Sequence, residues 1–134
     1  MLNLEGHSNQ AALLGRLFMS SLFVVYGYKK LTGFAGTEAY MAKFSALASA
    51  PKVFAAIAVI VELGGGLLIL AGYKTRCVAL ACAIYVIIAA LLAHSNLADP
   101  NQMSHFFKNM AIVGGFLMLV ANGAGAYSLD ARKS

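Results

Sequence analysis

Four long runs nearly free of charge limit what this chain can fold into more than any other feature it has. They cover residues 11–28, 53–73, 77–94 and 105–122. A hydrocarbon layer about 30 Å thick asks for ~20 helical residues and tolerates ~17. Each run therefore has spanning length, and an α-helix is the form in which one span pairs its own backbone groups in lipid. The alternative, a soluble domain of 134 residues, fits poorly: 60% of the residues are hydrophobic and 11% charged, against roughly a quarter charged in soluble domains. So few charges do not cover the surface that a small domain leaves in water. The expected fold class is all-α: one domain over residues 1–134, an integral membrane four-helix bundle in the lipid bilayer.

The segments between the runs predict how the spans connect. The first run stops at Lys29, Lys30 and Thr32-Gly33, and the second is entered through Ser49-Ala50-Pro51, where proline suits a first helical turn. Lys74-Thr75-Arg76 leaves only a tight turn before the third run, so spans two and three form an antiparallel hairpin. Residues Ser95 to Ser104, with Asp99-Pro100-Asn101, read as a loop, and Gly123 and Gly125 end the fourth run. Residues Phe34 to Ala50 are too polar to cross, yet Tyr40, Phe44 and Leu47 recur at helical spacing. This predicts a short interfacial helix with Thr37 as candidate N-cap. The first ten residues are polar, with no basic residue before Arg16, which is not the pattern of a cleavable signal peptide.

Ten Lys and Arg against five Asp and Glu give a net charge of +5. The basic residues cluster at the ends of the runs, where they anchor helices to headgroups. No basic stripe interleaved with aromatics is present, so no nucleic-acid partner is expected. Cys77 and Cys82, five apart on one helix, lack the CxxC spacing of a redox pair and read as packing residues. Charge does not orient the protein: Lys74, Arg76, Arg132 and Lys133 on the terminal side balance Lys29, Lys30, Lys43, Lys52 and Lys108 on the other.

Ionisable groups inside a span cost about 2.5 to 3.5 kcal/mol at the helix centre, so they turn towards protein. Glu62 sits near the middle of the second span, on a stripe with Ala58, Gly65 and Gly66 that admits a close helix neighbour. Such a stripe serves contacts within one chain or between copies in a homo-oligomer. Arg16 shares a face of the first span with Ser20, Phe23, Gly27 and Lys30. It is shallower than Glu62 by roughly 7 to 8 Å, within reach of a guanidinium, and an Arg16–Glu62 ion pair is the expectation. On the non-terminal side His105, Lys108 and Asn109 share one face, near Lys29, Lys30 and His94. Cations and amide donors at the mouth of an apolar bundle suit an anion or a quinone-like carbonyl headgroup, with histidine able to carry a proton. Tyr85, near the middle of the third span, could add a hydroxyl to such a pocket but reads first as a packed aromatic. A metal is not expected, since the only easy ligand set is His94, His105 and Asp99. Gly64-Gly65-Gly66 lacks the trailing residues of a phosphate loop.

In order along the chain stand an early Arg16, an F-x-x-x-G-x-x-K-L stretch (Phe23, Gly27, Lys30, Leu31) and an E-x-x-G-G-x-x-L-x-x-G run (Glu62 to Gly72) before a basic turn. There follow H-F-x-K-N (His105 to Asn109) and a closing G-x-G-x-x-S-L-D (Gly123 to Asp130). Together these resemble the DoxX family from Arg16 to Asp130, with Ala124 where the family usually has proline. The resemblance implies a multi-pass bacterial inner-membrane protein of four helices with both termini cytoplasmic. It also implies a redox neighbourhood, since the family takes its name from a subunit associated with a terminal quinol oxidase and thiosulfate oxidation. Both routes converge on Arg16, Lys30, Glu62, His105, Lys108 and Asn109 as ligand-binding residues. The function expected is a redox-associated component, an accessory of a quinone-linked oxidoreductase. The alternative is a non-enzymatic membrane partner or scaffold for a redox or stress enzyme.

Overall fold

Each apolar run becomes a helix long and apolar enough to cross a membrane, in a computed structural model that describes residues 5–133. After a 3-10 turn at Glu5–His7 come α1 (Ser8–Thr32) and α2 (Phe34–Met41). The second span is α3 (Pro51–Val59), a π-helical turn (Ile60–Gly64) and α4 (Gly65–Ala71) in one rod. Then follow α5 (Thr75–Ala93), α6 (Pro100–Asn122) and the short α7 (Leu129–Arg132). The reading of the polar N-terminus as uncleaved falls partly on residues 1–4, outside the described residues.

Several boundaries differ from expectation. Helix α1 overruns its apolar run at both ends, because helical hydrogen bonding does not require apolar side chains and Lys29 and Lys30 in its last turn suit the negative helix end. Helix α6 begins inside the segment read as a loop: the Asp99 carboxylate accepts from Asn101 N at 2.9 Å and Pro100 takes the first helical position. Thr37 caps nothing, since α2 starts at Phe34. Instead its hydroxyl donates to the Lys30 and Gly33 carbonyls at 3.1 and 3.3 Å, tying α2 to the end of α1. The interfacial helix is also shorter than the segment that predicted it, and residues 42–50 are bends and turns.

The buried residues of α1 are Arg16, Ser20, Phe23 and Gly27, the face that the sequence marks out. Phe23 stacks on Phe116 at 5.0 Å and joins Ile69, Cys82 and Val86 in the main core. The small-residue stripe works in two directions. A Cβ on Gly65 would stand 2.9 Å from the Cys82 sulfur of α5, and one on Gly66 would stand 2.9 Å from Phe23 Cβ of α1. Cys82 is buried, Cys77 is exposed, and neither is in a disulfide. Phe18, Ile60 and Met118 point outward, 75%, 68% and 64% exposed. In water such a surface would be a liability, whereas lipid tails solvate it.

On the terminal side Gly123 and Gly125 adopt positive φ (77° and 82°) and turn the chain back over the hairpin between α4 and α5. The Asp130 carboxylate there accepts from the backbone N–H of Lys74 (2.7 Å) and Thr75 (2.9 Å), closing the start of α5. Burial acts to raise the Asp130 pKa, but these hydrogen bonds, with Lys133 nearby, outweigh it and hold the carboxyl below its ordinary 3.8. A carboxyl depressed in the folded state stabilises the fold above its unfolded pKa and loses that contribution as pH falls through the folded one. Acidification below 3.8 is therefore expected to cost the wild type more thermal stability than Asp130→Asn. Melting curves of the two proteins across this range are the check, and parallel acid profiles would remove Asp130 from the role.

Candidate ligand-binding site

A carboxylate at mid-span needs donors, and Glu62 has two. Lys30 Nζ of α1 lies 2.7 Å from Oε2, and the Tyr85 hydroxyl of α5 donates to Oε1 at 2.7 Å. Glu62 is only 7% exposed, so both contacts form where water screens little. The π-helical turn at Ile60–Gly64 carries it. Such a turn shifts the phase of the side chains beyond it and recurs at functional sites. Gly27 lets the first span approach this turn: a Cβ there would collide with the Leu63 backbone.

The expected Arg16–Glu62 pair is therefore corrected. Arg16 is fully buried at the opposite end of the bundle, where its guanidinium donates to the carbonyls of Ile69 (3.1 Å), Leu70 (2.9 Å) and Tyr127. The Ile69 and Leu70 carbonyls lie at the end of α4, where the helix dipole turns its negative end, and Ile69 O also accepts from the Gly72 N–H at 3.1 Å. A guanidinium with five donors finds more acceptors at a helix end than in one carboxylate.

The other five predicted residues come together. Lys30, Glu62, His105, Lys108 and Asn109 all line one cavity of about 600 Å³ between α1, α2, α5 and α6, on the non-terminal side. Its walls include Leu22, Phe23, Val86 and Ile112, and its mouth holds His94 and His105. The two imidazoles stack at 4.9 Å, and Lys108 Nζ lies 3.2 Å from His105 Nδ1. His94, just beyond α5, has its pKa lowered by burial and by the neighbouring His105 and Lys108, which favours its neutral form. Its Nδ1 is buried with no hydrogen-bond partner among the described residues.

Sequence reasoning undervalued Tyr85, and the signal that could have raised it is chemical. A buried carboxylate requires hydrogen-bond donors, and Tyr85 is the hydroxyl-bearing residue near the middle of the span paired with that of Glu62. No spacing in the chain connects positions 62 and 85.

Chemically, the site offers a floor of ammonium, carboxylate and phenol, apolar walls and an imidazole mouth. Two lysines face one carboxylate, so the lining favours oxygen acceptors and negative charge. Lys30 gives one N–H to Glu62 and retains others, while the Tyr85 oxygen can still accept.

The model of the DoxX family matches residues 11–95, which includes Lys30, Glu62 and Tyr85. An Escherichia coli (strain K12) protein named inner membrane protein YqjF is 42% identical over 118 residues, covering 88% of this chain and 88% of the relative. A second from the same organism, inner membrane protein YphA, is 36% identical over 126 residues, covering 90% of this chain and 88% of the relative. No solved structure matches the chain.

Proposed function

This chain belongs to the DoxX family of membrane proteins, and from that premise we propose that it binds a quinone-like or small anionic ligand as a redox-associated component of a bacterial inner membrane. The observation carrying this reading is the Lys30–Glu62–Tyr85 cluster at the floor of an otherwise apolar cavity. A pocket of about 600 Å³ lies within the usual ~300–1,000 Å³ range for small-molecule sites, with few polar groups fixing orientation. An oxygen-bearing ring fits this lining. Lys30 donates to a carbonyl or anionic oxygen, the Tyr85 oxygen accepts from a hydroxyl, and the neutral His94 and Asn109 supply further polar contacts near the mouth. A bound quinone would supply two-electron carrier chemistry. This chain's residues hold the ring, and Glu62 keeps the Lys30 ammonium in place.

With both termini in the cytoplasm, the cavity mouth opens on the outer side of the membrane. A quinone-linked oxidoreductase is the partner that this reading supplies, and the exposed helix faces leave room for such a partner or for a second copy.

The test uses protein purified in mild detergent, with duroquinone and benzoate as tailless quinone and anionic probes. Glu62→Gln and Lys30→Met are expected to weaken binding of whichever probe the protein takes by at least about tenfold, roughly 1.4 kcal/mol, and, because each breaks a buried pair, to lower the melting midpoint of protein that still folds. Folded variants that bind as the wild type does would instead leave the protein as a scaffold for a redox or stress enzyme. Neither probe binding to the wild type would sink the ligand reading.

A further inference from the structure

A second cavity of about 350 Å³ lies between α2, α3 and α5. Its own walls are apolar: Met41, Phe44, Phe54, Ile57, Ile88 and Leu92. It shares Lys30, Tyr40, Glu62, Tyr85 and His94 with the first cavity, so the two lobes meet at the Glu62 cluster.

We infer that the ligand of this protein is an amphiphile lying across both lobes, its oxygen-bearing ring in the polar lobe and its alkyl or prenyl chain in the apolar one. The inference rests on the ring-binding reading above and narrows it, from any ring or small anion to a chain-bearing molecule of the membrane.

Three observations carry it. An ordinary lipid-facing surface has no polar floor, because a charge or hydroxyl there costs free energy without a partner. Here the apolar lobe runs directly onto an ammonium, a carboxylate and a phenol. Second, the apolar lobe is open at its rim, where Ile57 and Ile88 are 44% and 53% exposed. In a bilayer that rim faces acyl chains and gives a tailed molecule a lateral route that needs no crossing of water. Third, the residues that part the lobes come from different elements, Lys30 from α1, Glu62 from the π-helical turn and Tyr85 from α5. A chain attached to a ring held by Lys30 has the neighbouring lobe as its nearest apolar space.

The test locates the chain directly. A decyl-substituted benzoquinone carrying a photoreactive diazirine on its chain is bound to the protein in lipid nanodiscs, illuminated, and its adducts are mapped by mass spectrometry. The expected adducts fall on the apolar lobe, around Phe54, Ile57, Ile88 and Leu92, and excess unlabelled duroquinone removes them. Ile88→Trp, which fills the lobe from its rim, is expected to reduce them several-fold while duroquinone binding persists, and Leu92→Trp is the second variant should that protein fold poorly. Adducts spread over lipid-facing positions such as Phe18 and Met118, with duroquinone still bound, would overturn the tail lobe and leave the ring site standing. Adducts in the lobe that duroquinone fails to displace would mean that the probe's chain enters the lobe without its ring at the Lys30 cluster, which also overturns the inference. If duroquinone does not bind at all, the ring site and the tail lobe fall together.

Discussion

Replacing Arg16 with alanine is expected to lower the stability of the folded protein by about 3 kcal/mol, roughly a 10 °C drop in melting midpoint. The guanidinium is fully buried and donates to three carbonyls, two at the end of α4 and the third at Tyr127, just before α7. Hydrogen bonds from a charged donor contribute about 1.5–3 kcal/mol each. Truncation removes them together and leaves a hole where one of the largest fully buried side chains stood. Some loss is recovered because water can reach carbonyls near the membrane surface, hence an estimate below the sum of the bonds. Arg16→Lys is expected to fall between, since a single ammonium lacks the fork that spans three acceptors. The protein that survives should still bind probes at the Glu62 site, because Arg16 is not among the residues lining either cavity. An alanine variant that melts with the wild type would show that the carbonyls are satisfied in some other way.

The second large effect is expected from Gly27→Ala. On propensity alone this change would stabilise α1 by up to about 1 kcal/mol, since alanine is the better helix former. Here the added Cβ would collide with the backbone at Leu63 and also meet its Cβ at 2.8 Å, and backbone cannot rotate aside as a side chain can. The helices must separate, and overpacking of this kind costs about 1–3 kcal/mol. A net loss of about 2 kcal/mol is the expected outcome, with a particular secondary signature. Gly27 lies one turn before Lys30, and Leu63 follows Glu62, so separation here lengthens the 2.7 Å Lys30–Glu62 contact. Probe binding should therefore weaken alongside stability, unlike in Arg16→Ala. Gly15→Ala is the matched control on the same helix, because nothing lies within 4 Å of its would-be Cβ. It is expected to be neutral or slightly stabilising, and equal effects at the two glycines would remove the close approach as the cause.

These two residues also show how far the chain could be read in advance. Both were placed on the buried face of the first span by the 3.6-residue period, a local property, and by the cost of leaving Arg16 in lipid. Their partners were not legible. Arg16 was paired with Glu62 because charge and depth allowed it, while the acceptors it uses are backbone carbonyls, which no sequence pattern distinguishes. Thr37 was misread in a similar way, as a cap instead of a tie to the Lys30 carbonyl. The cluster at His105, Lys108 and Asn109 was legible, since three polar residues on one turn of an apolar helix stand out by composition. Their joining with Lys30 and Glu62 in one cavity depends on how far the spans rotate and tilt against one another.

Spacing and composition sufficed for the four spanning helices, the tight hairpin between the second and third, and the inward face of the first, because the bilayer imposes length and apolarity on every span regardless of its neighbours. It took the packing of the spans to put Glu62 in a π-helical turn between Lys30 and Tyr85, to set Arg16 at a helix end far from it, and to make two lobes meet at the cluster. The physical reason is that lipid does not rank one inward packing above another. That choice falls to glycine contacts, buried donors and helix-end carbonyls, which act only once helices distant in sequence have met.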